Sequence, residues 1–189
     1  MMLKRVEEFG NYVEIAGFSG VKVGGVKDLL RTLYKGKCSE VEMQFFDATT
    51  IATWKHLYFA ALNAIKAFEG SDNISNSLAI ETLLFASGQN QITKATRLVG
   101  IQPASSDVAV LIIGKNPEIV GSTLSKVTQK IGGTRNDAVL GLSDAKKKKL
   151  QEVFGITLQE LEATSHGQEL EESLVDLVIE KVALVSVQN

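Results

Sequence analysis

The segment DVAVLIIG, Asp107 to Gly114, constrains the fold more than any other stretch. Every position from Val108 to Ile113 is apolar, and the run is bounded by turn signals at strand length, so it reads as a central strand buried on both faces. Such a strand needs a layer on either side. Asn116-Pro117 supplies the start of one helix, an N-cap with proline at the first helical position. Val120, Leu124, Val127 and Ile131 then form its buried face before Gly132-Gly133 ends it.

Other segments fill in the layers. YVEIAGF (Tyr12 to Phe18) and VEMQFF (Val41 to Phe46) are rich in β-branched and aromatic residues and read as strands. Between them Val26, Leu29, Leu30 and Leu33 recur at helical spacing. Leu57, Ala60, Ala61, Ala64 and Phe68 mark a long amphipathic helix from about Thr53 to Phe68, with a small-residue stripe that permits close helix approach. Asn73 or Ser75 is expected to cap a helix that buries Ile80, Leu83 and Leu84 and stops at Gly88. Ile92, Ala95, Thr96 and Val99 predict a short third helix closed by Gly100. In the last third Ser143 caps a helix through Phe154, and Thr157 with Glu160, and Ser165 with Gln168, fit capping boxes. Leu170, Leu174, Leu177 and Val178 give the final helix its apolar face, and VALVSV (Val182 to Val187) reads equally as its continuation or as a strand. The expected fold is α/β (α+β): a single domain over 1–189 with a mixed sheet of about four strands flanked by several helices.

Composition narrows the function classes. Of 189 residues, 44% are hydrophobic and two are proline, which suits one compact domain with its own core. The single cysteine, Cys38, excludes an internal disulfide framework and favours a reducing compartment. No run of about 18 apolar residues occurs, and MMLKRVEEFG has acids where a signal peptide needs an apolar stretch, so a cytoplasmic location is expected. A net charge of −2 argues against a protein that coats nucleic acid non-specifically, but leaves room for a local basic patch.

Catalytic signals are sparse. Gly20-Val21-Lys22-Val23-Gly24-Gly25 lacks phosphate-loop spacing and reads as a turn. His56 and His166 are far apart without ligand-spaced partners; His56 reads as a hydrogen-bonded structural residue and His166 as exposed. No serine or cysteine nucleophile pattern stands out, and no metal or cofactor is expected. The run Lys146 to Lys149 points around a helix in different directions and reads as solvated surface.

One stretch asks for an explanation. In FASGQNQITKATRLVGI, residues 85 to 101, a helix-ending Gly88 is followed by Gln89, Asn90 and Gln91 at the start of the next helix. Exposed backbone N–H groups and a positive dipole end meet three side-chain amides there, while Lys94 and Arg97 share the following helix face. Such a corner can hold a phosphate and hydrogen-bond a base edge. Amides that merely cap the two helix ends are the other reading.

The block His56 to Ile101 resembles the signature region of the KEOPS subunit family of the PRPK-binding protein (TPRKB). The resemblance rests on His56-Leu57, Ala60, Ala64, Ala67-Phe68, Asn73-Ile74-Ser75, Glu81 with Leu83-Leu84, Ser87-Gly88, Gln91-Ile92 and Gly100-Ile101. FGITLQELE (Phe154 to Glu162) and ELEESLVDLVIEKVAL (Glu169 to Leu184) are similar to archaeal members. The resemblance implies a non-catalytic subunit of the complex that places threonylcarbamoyl on the adenosine next to the anticodon. It would bind the PRPK-type kinase/ATPase and the single-stranded 3′ CCA end of tRNA, with the transfer chemistry in another subunit. The RNA-binding residues expected are Lys66, Asn73, Ser75, Gln89, Asn90, Gln91, Lys94 and Arg97. The kinase-facing ones are Leu78, Ile80, Leu84 and Phe85, on a helix with two apolar edges. Asn90 departs from the family, whose archaeal members carry arginine before the Gln-Ile pair. Trp54 is expected in the core rather than as a base platform. Two other classes stay open: a small nucleotide- or small-molecule-binding α/β enzyme domain, and a regulatory partner that binds protein only.

Overall fold

The computed structural model describes residues 2–22, 24, 40–165 and 169–187. The expected helix through Val26 and Leu33, the thiol of Cys38, His166 and the Ser165–Gln168 box all lie wholly or partly outside these residues. Strands β1 (Met2–Val6), β2 (Asn11–Ser19), β3 (Val41–Asp47), β4 (Val108–Gly114) and β5 (Thr134–Arg135) form one sheet. Its order is β1-β2-β4-β3, with β5 paired to β2 beyond the end of β1. The helices are α1 (Trp54–Gly70), α2 (Leu78–Ser87), α3 (Ile92–Val99), α4 (Pro117–Lys130), α5 (Asp144–Phe154), α6 (Leu158–Ser165) and α7 (Leu170–Ala183). The class is α+β as expected. The expectation of a mixed sheet gives way on one point: every pairing among the described residues is antiparallel.

β4 is buried along its whole length and sits between β2 and β3, as its unbroken apolar run requires. Alternation then sorts the two layers. Val13, Ile15, Leu111 and Ile113 face a core shared by α1, α2, α3, α5, α6 and α7, whereas Ala16, Phe18, Val110 and Ile112 face α4. Ala60, Ala61 and Ala64 are fully buried, and the stripe they form lets α1 pack against both α2 and α7. The C-terminal VALVSV stretch resolves toward helix, closing with a 3₁₀ turn at Leu184–Val187.

Two short strands were not expected. β1 carries Lys4 and Arg5 and lies on the sheet edge, where one side of the strand can stay polar. β5 is two residues long and pairs only Phe18 with Arg135 and Ser19 with Thr134. Between β1 and β5 the ladder is completed by a side chain: Asp137 Oδ1 accepts from Gly17 N at 2.9 Å. A Cβ at position 17 would lie 2.5 Å from the Asn136 carbonyl oxygen, so this close approach admits only glycine.

The Lys146–Lys149 run corrects a second expectation. Lys146 is 6% exposed, and its Nζ donates to the carbonyls of Val139 and Gly141 at 2.9 and 3.0 Å. Burial pulls its pKa down to about 8, against the opposing pull of Asp107 and Asp47. Lys147 pairs with Asp144 and Glu171. Lys149 reaches Asp47 at 3.9 Å, and only Lys148 is left as the solvated surface expected of the whole run.

Candidate nucleic-acid and partner interface

The corner between α2 and α3 is built from behind by His56. Its ring is fully buried in the first turn of α1; Nδ1 accepts from Ala52 N at 3.2 Å and Nε2 donates to the Ala86 carbonyl at 2.8 Å. Both bonds need the neutral tautomer, and burial lowers the pKa to about 4, outweighing the hydrogen bond to Ala86. His56 is a structural residue, and it fixes the backbone at Ala86, two residues before Gly88.

α2 then closes in a Schellman motif. Gly88 takes φ 64°, its N–H reaches Phe85 O at 3.0 Å, and Gln89 N reaches Leu84 O at 3.2 Å. Behind Gly88 lies the end of α7, with the Lys181 carbonyl 3.4 Å from where a Cβ would stand. Gln91 is the N-cap of α3, and its side chain does not cap the helix. The α3 start has no acid in its first turn and no side-chain acceptor on its first N–H groups. α3 is held from its other end, where Gln102 Nε2 caps Thr96 O at 2.9 Å and Gly100 bridges to Phe46 of β3.

The three amides reach the surface. Gln89 is half-buried, Asn90 and Gln91 are exposed, and among the described residues their side chains make no hydrogen bond. Lys94 and Arg97 are both exposed, with no ion pair among the described residues, while Ala95 and Val99 bury the opposite side of α3. Ile92, 48% exposed, stands beside them at the helix start.

The remaining residues expected to touch RNA form a second cluster, at the start of α2. Asn73 and Ser75 occupy the loop before that helix, and neither is its cap; Ser77 is, accepting from Ile80 N at 3.4 Å. The loop is pinned by Glu81, a fully buried carboxylate that accepts from Ile74 N at 3.1 Å and Ser75 N at 2.7 Å. Asn73 Nδ2 donates to Ser75 O at 3.0 Å and Ser75 Oγ accepts from Ser77 N at 3.2 Å, so both side chains are engaged within the loop. Lys66 is exposed on α1 beside a groove of about 480 Å³ bordered by Ile74, Glu81 and Phe85. The ten residues of α2, about 15 Å at 1.5 Å per residue, separate this cluster from the amide corner.

The kinase-facing set divides by burial. Leu84 is 0% and Phe85 2% exposed, so both belong to the core, whereas Leu78 and Ile80 are half-buried. Sequence reasoning named Glu81 among the residues that carry the resemblance but gave it no role, although a signal existed: it stands in the apolar row of Leu78 and Phe85, where an acid must find donors. Trp54 is partly buried against the core, with Lys4 Nζ 5.4 Å over its ring. Among the described residues no three His, Cys, Asp or Glu side chains converge as metal ligands, and no helix is long and apolar enough to cross a membrane.

Fold and corner together describe an α+β protein that presents side chains outward from a helix junction. Comparison with known proteins gives that class a definite place. A family model described as "Kinase binding protein CGI-121" matches residues 18–186, and the chain belongs to this family. It is similar to the "Regulatory protein Cgi121" of Methanocaldococcus jannaschii, 30% identical over 149 residues, covering 79% of this chain and 86% of that protein. It is also similar to the "EKC/KEOPS complex subunit CGI121" of Coccidioides immitis, 28% identical over 88 residues, 47% of this chain and 42% of that one.

Proposed function

We propose that the chain, as one domain over 1–189, is the non-catalytic subunit of a cytoplasmic KEOPS-type complex for tRNA threonylcarbamoyladenosine modification. In this reading it binds the PRPK-type kinase/ATPase and holds the 3′ CCA end of tRNA at the α2–α3 corner. Kinase binding follows from the family's description, and assembly into KEOPS from the name of the Coccidioides relative. The observation that carries RNA capture is the corner itself: a helix start without a side-chain cap, three amides and two exposed cations on one face, none of them partnered among the described residues. Backbone N–H groups and Lys94 or Arg97 hold phosphate, the amides address base edges, and Ile92 offers an apolar surface to a base. Lys66 at the other end of α2 extends the path. Asn73 and Ser75, engaged in their own loop, shape it rather than bind.

The test is charge reversal. Lys94→Glu with Arg97→Glu leaves the fold intact, because both side chains are exposed. It is expected to weaken tRNA binding roughly tenfold or more. The salt dependence should flatten by about 0.7 per lost phosphate contact. Unchanged affinity with an unchanged salt slope would overturn this reading.

A further inference from the structure

Burial of Leu84 and Phe85 leaves only the half-buried Leu78 and Ile80 of the α2 face expected to meet the kinase, and a second surface has the character of a docking site. A groove of about 630 Å³ lies between the start of α1, the 137–142 turn and the first half of α7. Its floor is apolar, formed by Trp54, Leu140, Leu142 and Val175. The α7 wall is acidic: Glu171, Glu172 and Asp176 line it, all exposed. Glu171 is engaged by Lys147, but Glu172 and Asp176 have no ion pair among the described residues. Two cations border the groove, Lys55 on the opposite wall and Lys4 over the Trp54 ring, neither with an ion pair among the described residues.

The wall continues a larger charge pattern. From Leu158 to Leu184 the chain carries seven carboxylates and a single lysine, Lys181, although its overall net charge is only −2. Glu162, Glu169 and Glu180 are also exposed without ion pairs among the described residues. An acidic face repels a polyanion, and an apolar floor beside it suits a protein. We infer that the α7 groove is the docking surface for a basic, apolar-tipped surface of the protein partner. That surface seats an aliphatic or aromatic side chain on Trp54, Leu142 and Val175 and sets Lys or Arg against Glu172 and Asp176. This rests on the kinase-binding reading above and gives it a location away from the amide corner.

The probe is the kinase subunit encoded in the same genome, titrated against the full chain. Glu172→Lys with Asp176→Lys is expected to weaken kinase binding about tenfold at ~50 mM salt and much less at ~500 mM, because rim charges act through screened attraction. Its tRNA affinity should stay level or rise. Trp54 is the sole tryptophan of the chain. A fluorotryptophan label there should give one fluorine resonance that shifts with kinase and stays fixed with tRNA. Wild-type binding that survives the double reversal with a silent Trp54 signal would overturn the location while leaving the kinase reading in place. Kinase binding abolished by Lys94→Glu with Arg97→Glu instead would move the partner to α3 and overturn it too. A wild-type chain that binds no kinase would overturn both.

Discussion

At the residue scale, the outward-facing polar groups depend on buried ones that cannot be exchanged freely. His56 is held neutral, with its pKa lowered from 6.5 to about 4. Between those values the folded state binds fewer protons than the unfolded chain, so stability is fully present above pH 6.5 and is lost as pH falls toward 4. The loss amounts to about 3 kcal/mol at roughly 1.4 kcal/mol per unit. Urea unfolding at a series of pH values should give that slope, and the His56→Gln variant, which takes up no proton, should lack it. A wild-type slope no steeper than the variant's would contradict the account. Glu81 plays the corresponding part at the other end of α2. Glu81→Leu strands the N–H groups of Ile74 and Ser75 and should lower stability by about 1–3 kcal/mol, loosening the loop beside Lys66. Hydrogen exchange at those two amides reads the effect directly, and unchanged protection would remove Glu81 from that role.

Elements tell a second story, in which legibility follows burial. β4 could be read from sequence because both its faces are apolar, and α1 because its apolar, alanine-rich stripe from Leu57 to Phe68 repeats over about three turns. β1 and β5 were hidden for the opposite reason. An edge strand with Lys4 and Arg5 has no inward alternation to display, and a two-residue pairing owes its existence to the Asp137–Gly17 contact, 120 residues apart in sequence. The α2–α3 junction was legible from Gly88 alone. Gly88→Ala forces a Cβ into φ 64° and should cost about 1–2 kcal/mol, measured by denaturant midpoint. Within the corner, the position before the Gln-Ile pair is open to solvent, so Asn90→Arg adds a cation without displacing anything. It should tighten tRNA binding severalfold and steepen the salt slope; no change would place position 90 outside the RNA path.

For the whole molecule, the sheet keeps its two layers distinct, and the thicker one carries both candidate surfaces. The amide corner and α3 present exposed cations, and α6–α7 present exposed carboxylates, most of both without ion pairs among the described residues, with α2 largely buried between them. The sequence reading reached the corner, because Gly88, the amides and the spacing of Lys94 and Arg97 are local. It placed the kinase contact on α2 because two apolar edges look alike whether they face a partner or a core. Only the fold reveals that Leu84 and Phe85 are covered by neighbouring helices, whereas Leu78 and Ile80 stay half-buried. The same reading took Lys146 to Lys149 as solvated surface, since nothing in four successive lysines announces that the first is enclosed by the 137–141 turn.

The most direct measurement compares the affinity of this chain for intact tRNA with its affinity for the same tRNA lacking its three terminal nucleotides. A terminus seated at the α2–α3 corner predicts a loss of tenfold or more on trimming, abolished in the Lys94→Glu, Arg97→Glu background. Equal affinity for the two RNAs would contradict it.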